Sequence, residues 1–296
     1  MADKKKVTIT VARGSGFCFG VQRAMKLAFD YAEKNNDKGV YSLRQIIHNP
    51  QESERLEKAG ARHVESVAGI KNGSAAIIST HGVTPAEEKS LRAKAADVLD
   101  TTCPYVKKIH RAVEKLKNEG YQIVIVGDKD HYEVKGILGY AADKGIVLNT
   151  AADVKKAKLE SRVGVVCQTT QSADKFMEIA NEVMKKVLVG RYAEVRIFNT
   201  ICDATQKRQE ATVQLAQKSD LMIIVGGKNS ANTKRLYELS RGILKQVRHV
   251  ETADEIKKEW LKGKKKIGIS AGASTPESAI NGIINKIKYM ERNNGK

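Results

Sequence analysis

The sequence repeats one pattern of short strands and amphipathic helices three times, and this repetition limits the possible folds more than any other feature. Each copy begins with an apolar strand, VTITVA, AADVL or AEVRIF, that runs into a polar segment containing one cysteine. The charged stretch that follows predicts an amphipathic helix, so each copy begins as a βα unit. The three cysteines, Cys18, Cys103 and Cys202, divide the 296 residues into near thirds.

Each copy continues with two further apolar strands. The second strands are VYSLRQIIHN, YQIVIVGDKDH and LMIIVGGKNSANT, and the third are AAIISTHG, VGVVCQTT and IGISAGAST. Apolar runs that alternate with amphipathic helices are typical of parallel sheets covered on both faces. We predict three similar α/β domains, 18–101, 102–197 and 198–296, with small, mostly parallel sheets in a pseudo-threefold arrangement around a central cavity. The N-terminal strand, within residues 1–17, is predicted to join the third domain.

Residues that bind metals or anions follow the predicted strand ends. In parallel α/β sheets, ligands bind beyond the carboxyl ends of the strands, where helix N-termini also point. The residues in question are Cys18, Cys103 and Cys202 after the first strands, His48, His131 and Asn232 after the second, and His81, Thr169 and Ser274 after the third. Glu133, two residues after His131, is a candidate proton donor. These positions predict one ligand site built from all three repeats.

The chain is strongly basic, with 52 Lys+Arg against 34 Asp+Glu and a formal net charge of +18. Such a charge attracts acidic partners or anionic substrates. The lysines are dispersed over many helices, and aromatic residues make up only 5% of the chain, so nucleic-acid binding is disfavoured. No apolar run approaches the ~20 residues of a membrane span, and the first residues do not resemble a signal peptide. We therefore expect a cytoplasmic monomer without a membrane partner.

The cysteines indicate a metal centre. Disulfides are disfavoured in a reducing compartment, whereas thiolates suit both zinc and iron–sulfur clusters. The wide spacing is typical neither of a zinc finger nor of a ferredoxin, so both metals remain open at this point. If the centre is a 4Fe–4S cluster, three thiolates would leave one iron without a protein ligand. The fourth cysteine, Cys167 in VGVVC, is predicted to pack as a small hydrophobic residue.

Nine segments together resemble a known family in order and over nearly the whole chain. They are GFCFGV, IIHNPQE, STHGV, DTTCPYV, HYEVKG, CQTTQS, NTICDAT, GGKNSANTKRL and SAGASTPE. They are similar to the 4-hydroxy-3-methylbut-2-enyl diphosphate reductase family, which ends the methylerythritol phosphate route to isoprenoid precursors. The resemblance implies an iron–sulfur oxidoreductase that reductively dehydrates its allylic diphosphate substrate to isopentenyl diphosphate and dimethylallyl diphosphate.

The resemblance also implies roles for individual residues. Cys18, Cys103 and Cys202 would hold one 4Fe–4S cluster per chain, whose open iron binds the allylic hydroxyl. Glu133 would supply a proton, and Thr169 would position the hydroxyl and relay protons. The residues expected around the diphosphate are His48, His81, His131, Ser230, Asn232 and Ser274. A ferredoxin or flavodoxin, both acidic proteins, would deliver the electrons.

Two positions depart from the family pattern. Tyr132 stands where many members have proline, so we expect a less rigid segment around Glu133. Ala231 stands where some members have a second serine after Ser230, so we expect redistributed phosphate contacts without loss of function.

Two other classes of function also fit parts of the sequence. A redox-neutral hydratase would use the same open iron, and strict dependence on supplied electrons would separate it from a reductase. A basic nucleic-acid-binding protein with a structural metal would show salt-sensitive binding to DNA or RNA and no stabilisation by a small diphosphate.

Overall fold

The structure is a computed structural model that describes residues 7–190 and 192–293. These residues form twelve β-strands, eleven α-helices and three short 3₁₀ helices. The strands are β1 (Thr8–Val11), β2 (Val40–Leu43), β3 (Ala61–Val64), β4 (Ala75–Ile78), β5 (Asp97–Asp100), β6 (Gln122–Val126), β7 (Gly145–Leu148), β8 (Arg162–Cys167), β9 (Glu194–Ile197), β10 (Leu221–Val225), β11 (Val247–Val250) and β12 (Lys266–Ala271). The α-helices are α1 (Phe19–Lys34), α2 (Pro50–Lys58), α3 (Pro85–Lys94), α4 (Pro104–Asn118), α5 (Tyr132–Ala141), α6 (Ala151–Lys156), α7 (Ala173–Val187), α8 (Asp203–Ala216), α9 (Ala231–Ile243), α10 (Lys258–Leu261) and α11 (Glu277–Arg292).

The strands form three sheets of four strands each, in the orders β3-β2-β4-β5, β7-β6-β8-β9 and β11-β10-β12-β1. Neighbouring strands in each sheet are parallel. The prediction of an α/β fold with three small parallel sheets is therefore confirmed. The pseudo-threefold arrangement around a cavity and the three domain boundaries stay predictions.

The chain divides into two compact units. The first unit consists of the described residues up to Phe19, the short segment His48–Pro50 and the described residues from Asp203 onward. It contains the sheet β11-β10-β12-β1. The second unit takes Gly20–Ile47 and Gln51–Cys202 and contains the other two sheets.

In the first unit, the central strand β10 is buried on both faces. Leu221, Ile223 and Val225 pack on one side of the sheet with apolar residues of α11, such as Ile283. Met222 and Ile224 pack on the other side with Leu236 of α9. Successive side chains of a strand point to opposite faces, so a continuous apolar run fills two helix-covered layers.

The second unit repeats this arrangement around β6. Ile123 and Ile125 pack with α4 and α5, while Val124 and Val126 belong to the core beneath α7. Burying each of these side chains stabilises the fold by roughly 1.5–3 kcal/mol. Cys167, the last residue of β8, is fully buried in the core beneath α7, so its predicted packing role is confirmed.

The structure differs from the predicted strands in two ways. The four-residue strands β3, β7 and β11 at one edge of each sheet were not predicted; β3 and β11 have arginine and histidine at their two central positions, so they lack a continuous apolar run. The predicted strand VYSLRQIIHN stops at Leu43 because the next residue, Arg44, has a positive φ of 65°, which turns the chain out of the sheet. No helix in the described parts of the chain is long and apolar enough to cross a lipid bilayer.

Candidate active site

All three repeat cysteines directly precede a long helix. Cys18 is followed by α1, Cys103 by α4 and Cys202 by α8; none of the three is in a disulfide, and each is partly exposed. The partial positive charge of a helix N-terminus stabilises anionic ligands. An anionic cofactor held by thiolates would therefore fit at these positions.

The backbone fixes each cysteine in the same way. The N–H of Cys18 donates to a carbonyl in the turn after β12 at 3.3 Å, Cys103 to one after β4 at 3.0 Å, and Cys202 to one after β8 at 3.2 Å. The acceptors, Ala273, Thr80 and Thr169, each lie two residues beyond the end of the third strand of a repeat. The repetition seen in the sequence thus places equivalent atoms around each thiol.

The loops before Cys103 and Cys202 share a turn. The Oδ1 atom of Asp100 accepts the N–H two residues on at 2.8 Å, and Asn199 does the same at 3.1 Å. The hydroxyls of the next residues, Thr101 and Thr200, donate to the last carbonyls of β4 and β8. DTTC and NTIC are therefore the same Asx turn with an added threonine anchor.

A buried arginine that the sequence reasoning missed holds the glycine-rich loop before Cys18. Arg208 on α8 is only 2% exposed, and its guanidinium donates to the carbonyls of Gly14 and Gly16, each at 2.8 Å. The one other basic residue of α8 is the adjacent Lys207, and the local sequence does not indicate that Arg208 is the buried one.

In the second unit, a buried carboxyl group lies at the start of α5. Glu133 is 3% exposed, and its Oε1 atom accepts the N–H of Thr169 at 2.6 Å. The hydroxyl of Thr169 donates to Oε2 at 2.8 Å. Burial raises the pKa of Glu133, although both bonds from Thr169 act in the opposite direction. A carboxyl group of this kind is suited to keep and donate a proton.

Two histidines flank this carboxyl group in the same unit. His131 is the N-cap of α5, and its Nδ1 atom accepts the N–H of Glu133 at 3.1 Å. A neutral ring that accepts through Nδ1 carries its proton on Nε2, so Nε2 is a hydrogen-bond donor. The ring of His81 packs edge-on against it, with centroids 5.4 Å apart. The second unit thus brings His81, His131, Glu133 and Thr169 together.

The first unit gathers polar groups at the carboxyl end of its own sheet. Ser230 is the N-cap of α9, and its side chain accepts the N–H of Thr233 at 3.3 Å. Asn232, in the first turn of that helix, is 5% exposed. Among the described residues, neither polar atom of its side chain has a hydrogen-bond partner. Such a buried amide is expected to have a ligand.

His48 and Ser274 are held beside these groups in the first unit. The side-chain amide of Asn49 donates to the Ser274 carbonyl at 2.7 Å. A Cβ atom on Gly227 would lie 3.0 Å from the His48 carbonyl, so glycine permits this close approach. Burial lowers the pKa of His48, which favours its neutral form.

Two residues outside the site also bear on the predictions. Burial raises the pKa of Cys167 to about 11, so its chemistry is that of a buried thiol and not of a metal ligand. Thr275 is followed by Pro276, a sequence that predicts a helix cap at the start of α11, and this prediction is wrong. Its hydroxyl instead donates to the Val225 carbonyl at 3.0 Å, and Pro276 occupies the N-cap position without a side-chain bond.

Parallel sheets whose carboxyl ends carry thiols, a buried carboxyl group and candidate anion-binding residues are typical of an α/β enzyme. Comparisons with known proteins specify the class. The model of the LytB protein family matches residues 9–288. The reductase of Aquifex aeolicus, named 4-hydroxy-3-methylbut-2-enyl diphosphate reductase, is 46% identical over 96% of this chain and 97% of its own length. A protein of the same name from Geobacter sp. (strain M21) is 43% identical over 96% and 98%.

Solved structures agree with these matches. One, described as (E)-4-hydroxy-3-methyl-but-2-enyl diphosphate reductase, the terminal enzyme of the non-mevalonate pathway, is 46% identical with a TM-score of 0.69 and covers 96% of this chain and 99% of its own. The reductase structure from Plasmodium falciparum is 30% identical with a TM-score of 0.86 over 95% and 87%. The chain belongs to the LytB protein family and is an oxidoreductase.

Proposed function

We propose that the protein is a 4-hydroxy-3-methylbut-2-enyl diphosphate reductase that catalyses the last step of the methylerythritol phosphate pathway. The reaction takes up two electrons and two protons and breaks the bond between carbon and the allylic hydroxyl. One proton leaves with the hydroxyl as water, and the other adds to either end of the allyl group. The products are isopentenyl diphosphate and dimethylallyl diphosphate.

Cys18, Cys103 and Cys202 would hold one 4Fe–4S cluster per chain. Three partly exposed thiols outside disulfides, each at an equivalent helix start, support this donor set, whereas the buried Cys167 does not fit it. When bound, the cluster supplies single electrons and an iron without a protein ligand, to which the allylic hydroxyl can bind.

The buried pair of Glu133 and Thr169 carries this proposal. Glu133 would hold its proton because burial disfavours the carboxylate, and it would give that proton to the leaving hydroxyl. The Thr169 hydroxyl, 2.8 Å from Oε2, would position the substrate hydroxyl and relay the proton. A hydroxyl group leaves far more easily as water than as hydroxide, so this proton removes much of the barrier.

The diphosphate would be bound by neutral donors at helix starts. The amide of Asn232 and the Nε2–H of His131 support this assignment. The other residues assigned to the diphosphate are His48, His81, Ser230 and Ser274. Holding the unreactive end of the substrate places the allylic hydroxyl within reach of the reacting groups.

An acidic ferredoxin or flavodoxin would deliver the electrons. The formal net charge of +18 supports an acidic partner, because complementary charge steers association. The monomeric state and the cytoplasmic location stay predictions.

Anaerobic purification tests the proposal. We expect a brown protein with about four iron and four sulfide per chain. Turnover of the diphosphate substrate should depend strictly on a supplied reductant. Cys103→Ser should lose the iron, and Cys167→Ala is the matched control that should keep it. A colourless, zinc-loaded protein that is active, or product formation without added electrons, would contradict the proposal.

A further inference from the structure

Tyr132 lies between two residues of the proposed site, His131 and Glu133, and makes contacts on its other side. Its hydroxyl donates to the Oε2 atom of Glu65 at 2.9 Å. The guanidinium of Arg44 lies over its ring, with Cζ 4.6 Å from the centroid, and the Lys135 ammonium lies 5.5 Å from the same centroid. The aromatic ring is thus held by a hydrogen bond and by cations.

Arg44 is itself fixed, although it occupies an unfavourable backbone conformation. Its φ is 65°, which a residue other than glycine seldom adopts. Its N–H donates to the Val64 carbonyl at 2.7 Å, and its guanidinium forms an ion pair with Glu87. Its side chain is only 12% exposed. Persistence of such a strained residue indicates that its surroundings determine it strongly.

Glu87 connects this arginine to the neighbourhood of the second histidine. It is the third residue of α3 and forms a capping box with Thr84, with bonds of 3.0 and 3.1 Å. Thr84 follows His81 by three residues. Thr84 also packs closely against Gly139 on α5, where a Cβ atom would lie 2.6 Å from the Thr84 side chain. The start of α3 therefore packs against the C-terminal part of α5, and Arg44 joins it to Tyr132 at the start of α5.

We propose that Tyr132 is a positioning residue for the two chain neighbours that flank it, His131 and Glu133. It acts through Glu65 and Arg44, which hold its hydroxyl and its ring. All of these residues belong to the second unit. The contacts of the Tyr132 side chain thus fix the segment around Glu133, which was expected to be less rigid with tyrosine than with proline at this position. The proposal rests on the proposed function, because the roles of His131 and Glu133 do.

The test compares Tyr132→Ala and Tyr132→Phe with a matched control. Tyr31 offers that control, because its hydroxyl donates to Asp97 at 2.8 Å, and Asp97 begins β5 at the end of the strand opposite Cys103. Two readouts are needed. Amide hydrogen exchange of peptides covering residues 131–135 reports local order, and steady-state turnover of the anaerobic holoenzyme reports function.

Tyr132→Ala should speed exchange in residues 131–135 and lower kcat about tenfold, because a small misplacement of reacting groups is costly. Tyr132→Phe keeps the ring against Arg44, so its exchange rate and its kcat should lie between those of the unmodified protein and those of Tyr132→Ala. Arg44→Lys keeps a charge for Glu87 but loses the planar guanidinium. Its exchange rate and its kcat should therefore also fall between those of the unmodified protein and those of Tyr132→Ala. Tyr31→Ala should change neither readout.

The outcomes separate the two proposals. If the unmodified protein does not reduce the substrate, the proposed function is wrong. If it does, and Tyr132→Ala matches Tyr31→Ala in exchange and in kcat, the positioning role is wrong. If Tyr132→Ala shows faster exchange in residues 131–135 and a lower kcat, and Tyr31→Ala shows neither, the positioning role is supported.

Discussion

Glu133→Gln is the substitution that tests the proposed chemistry most directly. Glutamine keeps the shape of the side chain and an oxygen for the Thr169 N–H, which donates to Oε1 at 2.6 Å. The Thr169 hydroxyl can accept from the new amide in place of donating to Oε2. Because both contacts have a replacement, the substitution removes the transferable proton and little else.

The expected loss follows from that chemistry. A positioned general acid contributes a factor of roughly 10²–10⁴ to the rate, which corresponds to about 3–5 kcal/mol of the activation barrier. We therefore expect kcat to fall by about 10² or more, with the cluster spectrum and the iron content unchanged. Turnover measured anaerobically with a chemical reductant gives kcat. Absorption spectra and metal analysis report the cluster and the iron content.

The same substitution has a signature in stability. Burial raises the pKa of Glu133 above its ordinary value of 4.5, so the folded protein keeps this proton at pH values where the unfolded chain has lost it. The contribution of Glu133 to stability is therefore fully present below the unfolded pKa and is lost as the pH rises through the folded pKa. Glutamine does not titrate, so the melting temperature of the variant relative to the unmodified protein should increase as the pH rises above the ordinary pKa of 4.5.

Glu182→Gln provides the control. Glu182 is a partly exposed carboxylate on α7 that accepts a hydrogen bond from Lys185, and this bond lowers the pKa of Glu182. Its replacement should leave kcat unchanged, and any pH trend in stability should have the opposite sign. If Glu133→Gln keeps its turnover, or if its relative stability falls as the pH rises, then Glu133 is not a buried acid that donates a proton.

Three further predictions follow from other parts of the structure. Cys167→Ala should cost roughly 1 kcal/mol of unfolding free energy in denaturant titrations yet keep its iron, whereas Cys18→Ser should lose iron in metal analysis. Asn232→Asp places a carboxylate where a diphosphate donor is proposed, so it should raise KM about tenfold or more in steady-state assays, and an unchanged KM would exclude Asn232 from substrate binding. Arg208→Lys cannot donate to the carbonyls of Gly14 and Gly16 with one planar group, so it should release iron to a chelator faster than the unmodified protein, and equal rates would show that Arg208 does not support the Cys18 loop.

The sequence was sufficient to predict the sheets and the positions of the cysteines because both depend on local patterns. Apolar runs such as the one in β10 can be buried only between two helical layers, and the structure has them there. The family resemblance and the buried packing of Cys167 were also predicted and are confirmed.

The parts that could not be predicted depend on contacts between distant segments. Arg208 donates to carbonyls far away in the chain, and the local sequence does not show that it, rather than the adjacent Lys207, is buried. The end of β2 depends on the positive φ of Arg44, whose stabilising partners Val64 and Glu87 come from later elements. The Thr275 hydroxyl bonds a neighbouring strand, although its sequence suits a helix cap. Local propensity does not contain these long-range partners.

Equivalent positions in the three repeats serve different ends, and this explains how a repetitive fold can support an asymmetric reaction. The backbone bond that fixes each cysteine is conserved in all three copies, as a shared cofactor would require. The second residue of the helix after the second strand, in contrast, is Gln51 in α2, Glu133 in α5 and Asn232 in α9. A helix start favours an anion in every copy. Of these three side chains, only that of Glu133 accepts hydrogen bonds from the N–H and the hydroxyl of Thr169. Only that of Asn232 is a buried amide without a hydrogen-bond partner among the described residues. Repetition therefore gives the three cysteines the same backbone support, while side-chain differences at one helical position would separate the proposed proton donation from the proposed diphosphate binding.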